Sequence, residues 1–102
     1  MDPSDMCPVE DYSPETLTML SDALEQSTSR EHFIYREAEL DDLWRLLDTA
    51  LGEARRDSRA SERAEQLEQL RAITMRAHDL VGSDERPREA AAVLRTAIGT
   101  RA

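Results

Sequence analysis

The chain contains no lysine and no asparagine, one cysteine, three glycines and four aromatic side chains in 102 residues. Each shortage excludes something. Without lysine there is no Schiff-base or amine general base, and all 13 basic residues are arginines, fixed as cations and suited to planar, bidentate partners. Lysine and asparagine codons are both A-rich, so a GC-rich genome accounts for their joint absence. The lone thiol, Cys7, cannot build an intramolecular disulfide framework. Its sequence neighbours Asp2, Asp5 and Glu10 are the wrong company for an activated thiolate. So few glycines leave no material for a phosphate-cradling loop or a nucleophile elbow, and no HExxH pairing occurs. No apolar run approaches the roughly 18–20 residues that span a bilayer, so no membrane contact is expected. The first eight residues carry neither a basic stretch nor an apolar one, so they do not read as a secretory signal; a cytoplasmic protein is expected.

What is present is acid and helix-forming pattern. The 22 acidic residues against 13 arginines give a formal net charge of −9. That balance argues against a duplex-binding protein, which needs a basic face to displace counterions. A hydrophobic share of 39% is too high for a wholly disordered acidic tail. The length suits one domain, with a thin core that buries about 60–70% of the unfolded surface.

Residues 1–12 hold Pro3, Pro8 and four acids with little periodicity, and read as a flexible acidic arm; residues 13–102 read as a single helical domain. Ser13-Pro14-Glu15 is a helix start: a hydroxyl for a free N–H, a proline where no N–H is needed, and an acid at the positive end. Leu17, Leu20, Ala23 and Leu24 then carry a first helix to about Gln26. Thr28 and Glu31 stand at capping-box spacing, placing a second start near Ser29. From there Phe33, Leu40, Leu43, Trp44, Leu47, Ala50, Leu51 and Ala54 share one face, while Glu37, Glu39, Asp41, Asp42 and Asp48 spread over the polar side. A third stripe, Leu67, Leu70, Ile73, Thr74, Ala77, Leu80 and Val81, occupies 61–81.

No glycine or proline other than Gly52 lies between Arg30 and Val81, so residue identity does not decide whether the last two stripes share one helix. Phase does. On one continuous helix the stripes would differ by about 140° at roughly 100° per residue, showing apolar faces to opposite directions. A turn at Asp57-Ser58-Arg59 is therefore expected, with Asp57 or Ser58 capping the next helix. Gly82 is expected as the left-handed stop of the third helix. Ser83 or Asp84 is expected to cap a short fourth helix containing Pro87 and ending by Gly99. No alternating or hairpin pattern competes. The expected fold is all-α: a small bundle built on a long antiparallel helical hairpin with shorter N- and C-terminal helices.

The two short helices are expected to cover the long hairpin only in part, leaving Ile34 and Leu46 wet. A homodimer packing hairpin on hairpin would remove that loss. Neither His32 nor His78 has an acid three residues before it (Ser29 and Met75 stand there), so no helical metal site and no cofactor is expected. No enzyme is expected. Arg55, Arg56, Arg59 and Arg63 gather at the turn, where they can grip carboxylates or phosphates. Ile34, Tyr35 and Trp44 are the aromatic and apolar anchors available to a protein contact. The reading is a small non-enzymatic interaction or regulatory protein that binds a partner protein through a helical face or groove, as a homodimer. An acidic mimic of nucleic acid is the first alternative. A DNA-binding regulator using the Arg55–Arg63 tip is the second.

Overall fold

Ser13 and Ser29 set where the first two helices begin. In the computed structural model, which describes residues 9–101 and side chains as far as Ile98, the Ser13 hydroxyl accepts the Thr16 N–H at 3.3 Å and Pro14 opens α1 (Pro14–Gln26). The Ser29 hydroxyl accepts the His32 N–H at 3.2 Å and starts α2 (Arg30–Arg56). Ser29, one residue after the expected Thr28, is therefore the cap. α3 is Ser61–Gly82 and α4 is Pro87–Arg101, and the described residues contain no strand. The fold is all-α. Cys7 and most of the expected acidic arm, residues 1–8, lie outside the described residues.

The chain breaks between Arg56 and Ser61, where the two stripes fall out of phase. Asp57 does not cap α3 as expected. Its N–H closes α2 on the Ala54 carbonyl, and its carboxylate accepts the Arg59 N–H at 3.0 Å. Ala60 stands at the start of α3 with no side-chain cap, and Ser58 is part of the turn. One carboxylate spent on the turn leaves the next helix to begin on backbone bonds alone.

The α3 end also differs from expectation. Gly82 is the last helical residue and has no positive φ; the left-handed residue is Glu85, at φ 53°. Three N–H groups close the end, Ser83 and Asp84 to the Asp79 carbonyl at 2.9 and 3.3 Å and Arg86 to the Leu80 carbonyl at 2.8 Å. A Cβ at 82 would lie 2.8 Å from the Glu37 carboxylate, the movable end of that side chain. Neither Ser83 nor Asp84 precedes α4 directly; the Arg86 carbonyl accepts the Ala90 N–H at 3.1 Å, with Pro87 as the first helical residue. α4 also continues through Gly99.

The stripes become the core. Leu17, Leu20 and Leu24 of α1 meet Leu40, Leu43, Leu47 and Leu51 of α2, Leu67, Leu70, Ala77 and Val81 of α3, and Ala90, Leu94 and Ala97 of α4 in one buried cluster. α2 packs most extensively on α3, α1 on α4, and α4 on α3, while α1 barely touches α2. The radius of gyration, 13.5 Å, is that of a compact domain of this size, about 13 Å per hundred residues. The long seam expected to stay partly uncovered is buried within one chain. Ile34, at 59% exposure, is the most exposed large apolar residue described, and Leu46 is half-buried. No helix among the described residues is long and apolar enough to cross a membrane.

One acid departs from the polar side. Glu39 is fully buried, its carboxylate 2.6 Å from the Arg36 Nε, and Arg36 is buried with it. At 100° per residue Glu39 lies on the flank of the apolar stripe, and a guanidinium three residues away supplies the counter-charge that burial demands.

Candidate functional site

Helix lengths decide where the surface opens. At about 1.5 Å per residue, α2 and α3 run roughly 40 and 33 Å, whereas α1 and α4 run roughly 20 and 22 Å. The long pair therefore outruns the short pair. Two cavities follow the mismatch, and Tyr12 stands between them. The first, about 460 Å³, is lined by Arg63, Gln66, Leu67, Gln69, Leu70 and Ile73 of α3, with Tyr12 and Ala97 of α4 across from them. The second, about 510 Å³, is lined by Val9 and Tyr12 with Asp42, Arg45, Leu46, Thr49, Ala50 and Glu53 of α2.

The segment before α1 holds this divide in place. The Tyr12 hydroxyl accepts from Arg63 Nη2 at 2.9 Å, across 51 residues of sequence. Val9 and the Tyr12 ring pack against the core. Below Tyr12, the Asp11 carboxylate accepts the Ser13 N–H at 3.0 Å, the Ser13 hydroxyl at 2.9 Å and the Thr16 hydroxyl. The Thr16 bond, then the two Ser13 bonds, hold the Asp11 carboxyl below its ordinary value of 3.8.

The opposite side of α3 is bridged to α2. Arg55 lies 3.6 Å from Glu68, Arg71 pairs with Asp48 and rests 5.7 Å from the Trp44 ring centre, and His78 Nε2 is 3.6 Å from Glu37. Arg95 of α4 likewise donates to Asp22, at 2.9 Å, and to Glu25 of α1; those carboxylates raise its pKa, the Glu25 bond most.

The structure disperses the expected anchors. At about 100° per residue Ile34, Tyr35 and Trp44 point in three directions around α2: Ile34 is exposed, Tyr35 half-buried, and Trp44 half-buried under Arg71. The arginines divide in the same way. Arg55 is spent on Glu68 and Arg63 on Tyr12, while Arg56 and Arg59 are exposed at the turn. The acids of the polar side are mostly spoken for: Glu37 by His78, Asp41 by Arg45 at 3.0 Å, Asp48 by Arg71, and Glu39 by Arg36 in the interior.

Of the expected site residues Arg63 alone lines either of these two cavities. Its companions Tyr12, Gln66, Gln69 and Ile73 were missed, but one signal for Tyr12 was available. Tyr12 precedes the cap Ser13, and Leu17 is the fourth helical residue, the spacing of a hydrophobic staple that ties the entering chain to the helix. Gln66 and Gln69 carry no such signal, because they read as ordinary polar-face residues.

No family model matches the chain, and no curated protein or solved structure is significantly similar to it.

Proposed function

We propose that this chain is a small, non-enzymatic interaction protein of the cytoplasm that binds a partner protein through a groove on its helical surface. Its frame is a long antiparallel hairpin of α2 and α3, with α1 and α4 as shorter flanking helices. The order of the cross-helix pairs, Glu37–His78, Asp48–Arg71 and Arg55–Glu68, supports that frame. The observation that carries the function is the cavity of about 460 Å³ beside α3, with Arg63, Gln66 and Gln69 exposed at its rim and buried Leu67 and Leu70 and half-buried Ile73 at its floor. An apolar floor with a few convergent polar groups is the usual make-up of a recognition groove.

Of the apolar surface on which the homodimer was expected, the core leucines of the hairpin are buried within one chain and Ile34 stays exposed. No observation favours mimicry or DNA binding: Glu37, Glu39, Asp41 and Asp48 on α2 lie against cationic or imidazole partners, one of them internally, and two of the four turn arginines are engaged.

Position-resolved photo-cross-linking in the source cells tests the proposal. A photoreactive side chain at Gln66 or Gln69 is expected to yield the same partner adduct, and one at Thr18 on the exposed face of α1 to yield none. Equal adducts at all three positions, or none at any, would overturn the groove reading. An adduct with a second copy of the chain would restore the homodimer.

A further inference from the structure

The turn between α2 and α3 holds a hydroxyl that the groove does not use. Ser58 is exposed there, and its side chain has no hydrogen-bond partner among the described residues. Hydroxyls at the other helix ends are spent: those of Ser13 and Ser29 accept helix N–H groups, and that of Ser27 donates to the Ala23 carbonyl. Arg55 and Arg56 stand three and two residues before Ser58, and Arg59 follows it. No other serine or threonine of the sequence has arginines at both of those preceding positions.

The surroundings leave these groups available. The run from Arg55 to Arg59 is exposed throughout. The guanidiniums of Arg56 and Arg59 meet no carboxylate among the described residues. Arg55 is 3.6 Å from Glu68 with both side chains more than half exposed, a pair that water weakens. Asp57 is already extended, at φ −104° and ψ 112°, and a single N–H, on the Ala54 carbonyl at 3.2 Å, ties it to the end of α2. A terminal turn of that kind opens at little cost, so the run can be drawn out while Leu51 and Ala54 stay packed behind it.

We propose that Ser58 is a phosphorylation site, modified by a serine kinase whose acidic cleft reads the two preceding arginines. In the transfer the Ser58 Oγ attacks the γ-phosphorus of ATP. The Oγ–P bond forms as the P–O bond to ADP breaks, and the hydroxyl proton passes to the kinase's catalytic carboxylate. The consequence for this protein is a change of sign. From Glu53 to Arg63 four arginines face three acids, and a phosphate of about −1.5 to −2 charge reverses that balance. Its oxygens suit the idle forks of Arg56 and Arg59. The inference concerns the tip of the hairpin and stands independently of the groove.

The test incubates the full chain with ATP, Mg²⁺ and a purified kinase selective for Arg-Arg-x-Ser, and locates the phosphate by fragment mass spectrometry. The chain recovered from its source cells is mapped in the same way. One phosphate at Ser58 is expected in both. Arg56→Ala, which has no ion pair to lose, is expected to slow incorporation about tenfold with helicity unchanged. Ser58→Ala should take up none, and Ser61→Ala as much as the parent. Phosphate on Ser61 instead, or equal rates for Arg56→Ala and the parent, would overturn the proposal. So would an intact chain that resists a kinase able to modify the free peptide of residues 52–64. Ser58 found unmodified in the source cells, growing and starved alike, would overturn it as well.

Discussion

The two flanks of α3 are built differently. Against α2, a helix at least as long as itself, each polar residue at the edge finds a counterpart: Glu68 meets Arg55, Arg71 meets Asp48 and Trp44, and His78 meets Glu37. Along the other flank α4 has 15 residues against 22, and among the described residues Tyr12 and Ala97 stand opposite Arg63, Gln66 and Gln69. A neighbour at least as long as α3 pairs its polar edge; a shorter one leaves a cavity above buried Leu67 and Leu70.

The deepest way to break the contrast is Leu47→Asp. Leu47 is fully buried in the seam that the sealed flank protects, so the change removes apolar packing and installs a charge without a partner. A loss of more than about 4 kcal/mol is expected, a large part of the roughly 5–15 kcal/mol of a domain. Chemical denaturation followed by circular dichroism measures it; a variant that melts cooperatively near the parent would misplace the seam.

Glu39→Leu follows. It removes the carboxylate that faces the buried Arg36 cation, at a cost of about 3–5 kcal/mol. The double change with Arg36→Met should lose less than Glu39→Leu alone, since both charges leave together. If the double variant were the less stable of the two, the pair would be contributing net stability.

Arg71→Ala probes the sealed flank directly, removing a partly exposed ion pair and the contact over Trp44. About 0.5–1 kcal/mol is expected, together with a change in Trp44 fluorescence. No change in emission would mean the guanidinium does not lie on the ring.

At the open flank, acid is the probe. The folded-state pKa of Asp11 is lowered, so its contribution is present above the ordinary value of 3.8 and is lost as pH falls through the lower folded value. Amides of Ser13 and Thr16 should therefore move with a midpoint below 3.8. Asp11→Asn should abolish that step.

Gly82→Ala is the mildest. The new methyl would meet only the mobile end of Glu37, which can swing aside, so stability should stay within about 0.5 kcal/mol of the parent. The His78 ring signals should nonetheless shift as Glu37 leaves; unchanged signals would show the carboxylate had somewhere else to sit.

Much of the fold was legible because its signals are local. Ser13-Pro14-Glu15 begins a helix whatever surrounds it, and the phase slip around Asp57 forces a break because one rod cannot bury two opposed stripes. The misjudged ends have local reasons too. Gly82 resembles a left-handed stop, but it stays helical beside the Glu37 carboxylate, and Glu85 takes the left-handed geometry at a cost of about 1–2 kcal/mol. Glu39 reads as polar surface until Arg36 is seen beside it in the interior.

By itself the sequence determined the all-α class, the four helices, the break after Arg56 and nearly all the leucines of the core, since helix period and capping act over a few residues. The tertiary structure decided which polar residues pair, that Glu39 goes inside, and that Tyr12 lies between two cavities on Arg63. Those outcomes depend on how far each helix extends past its neighbours, and a length mismatch becomes a groove only when the helices lie side by side.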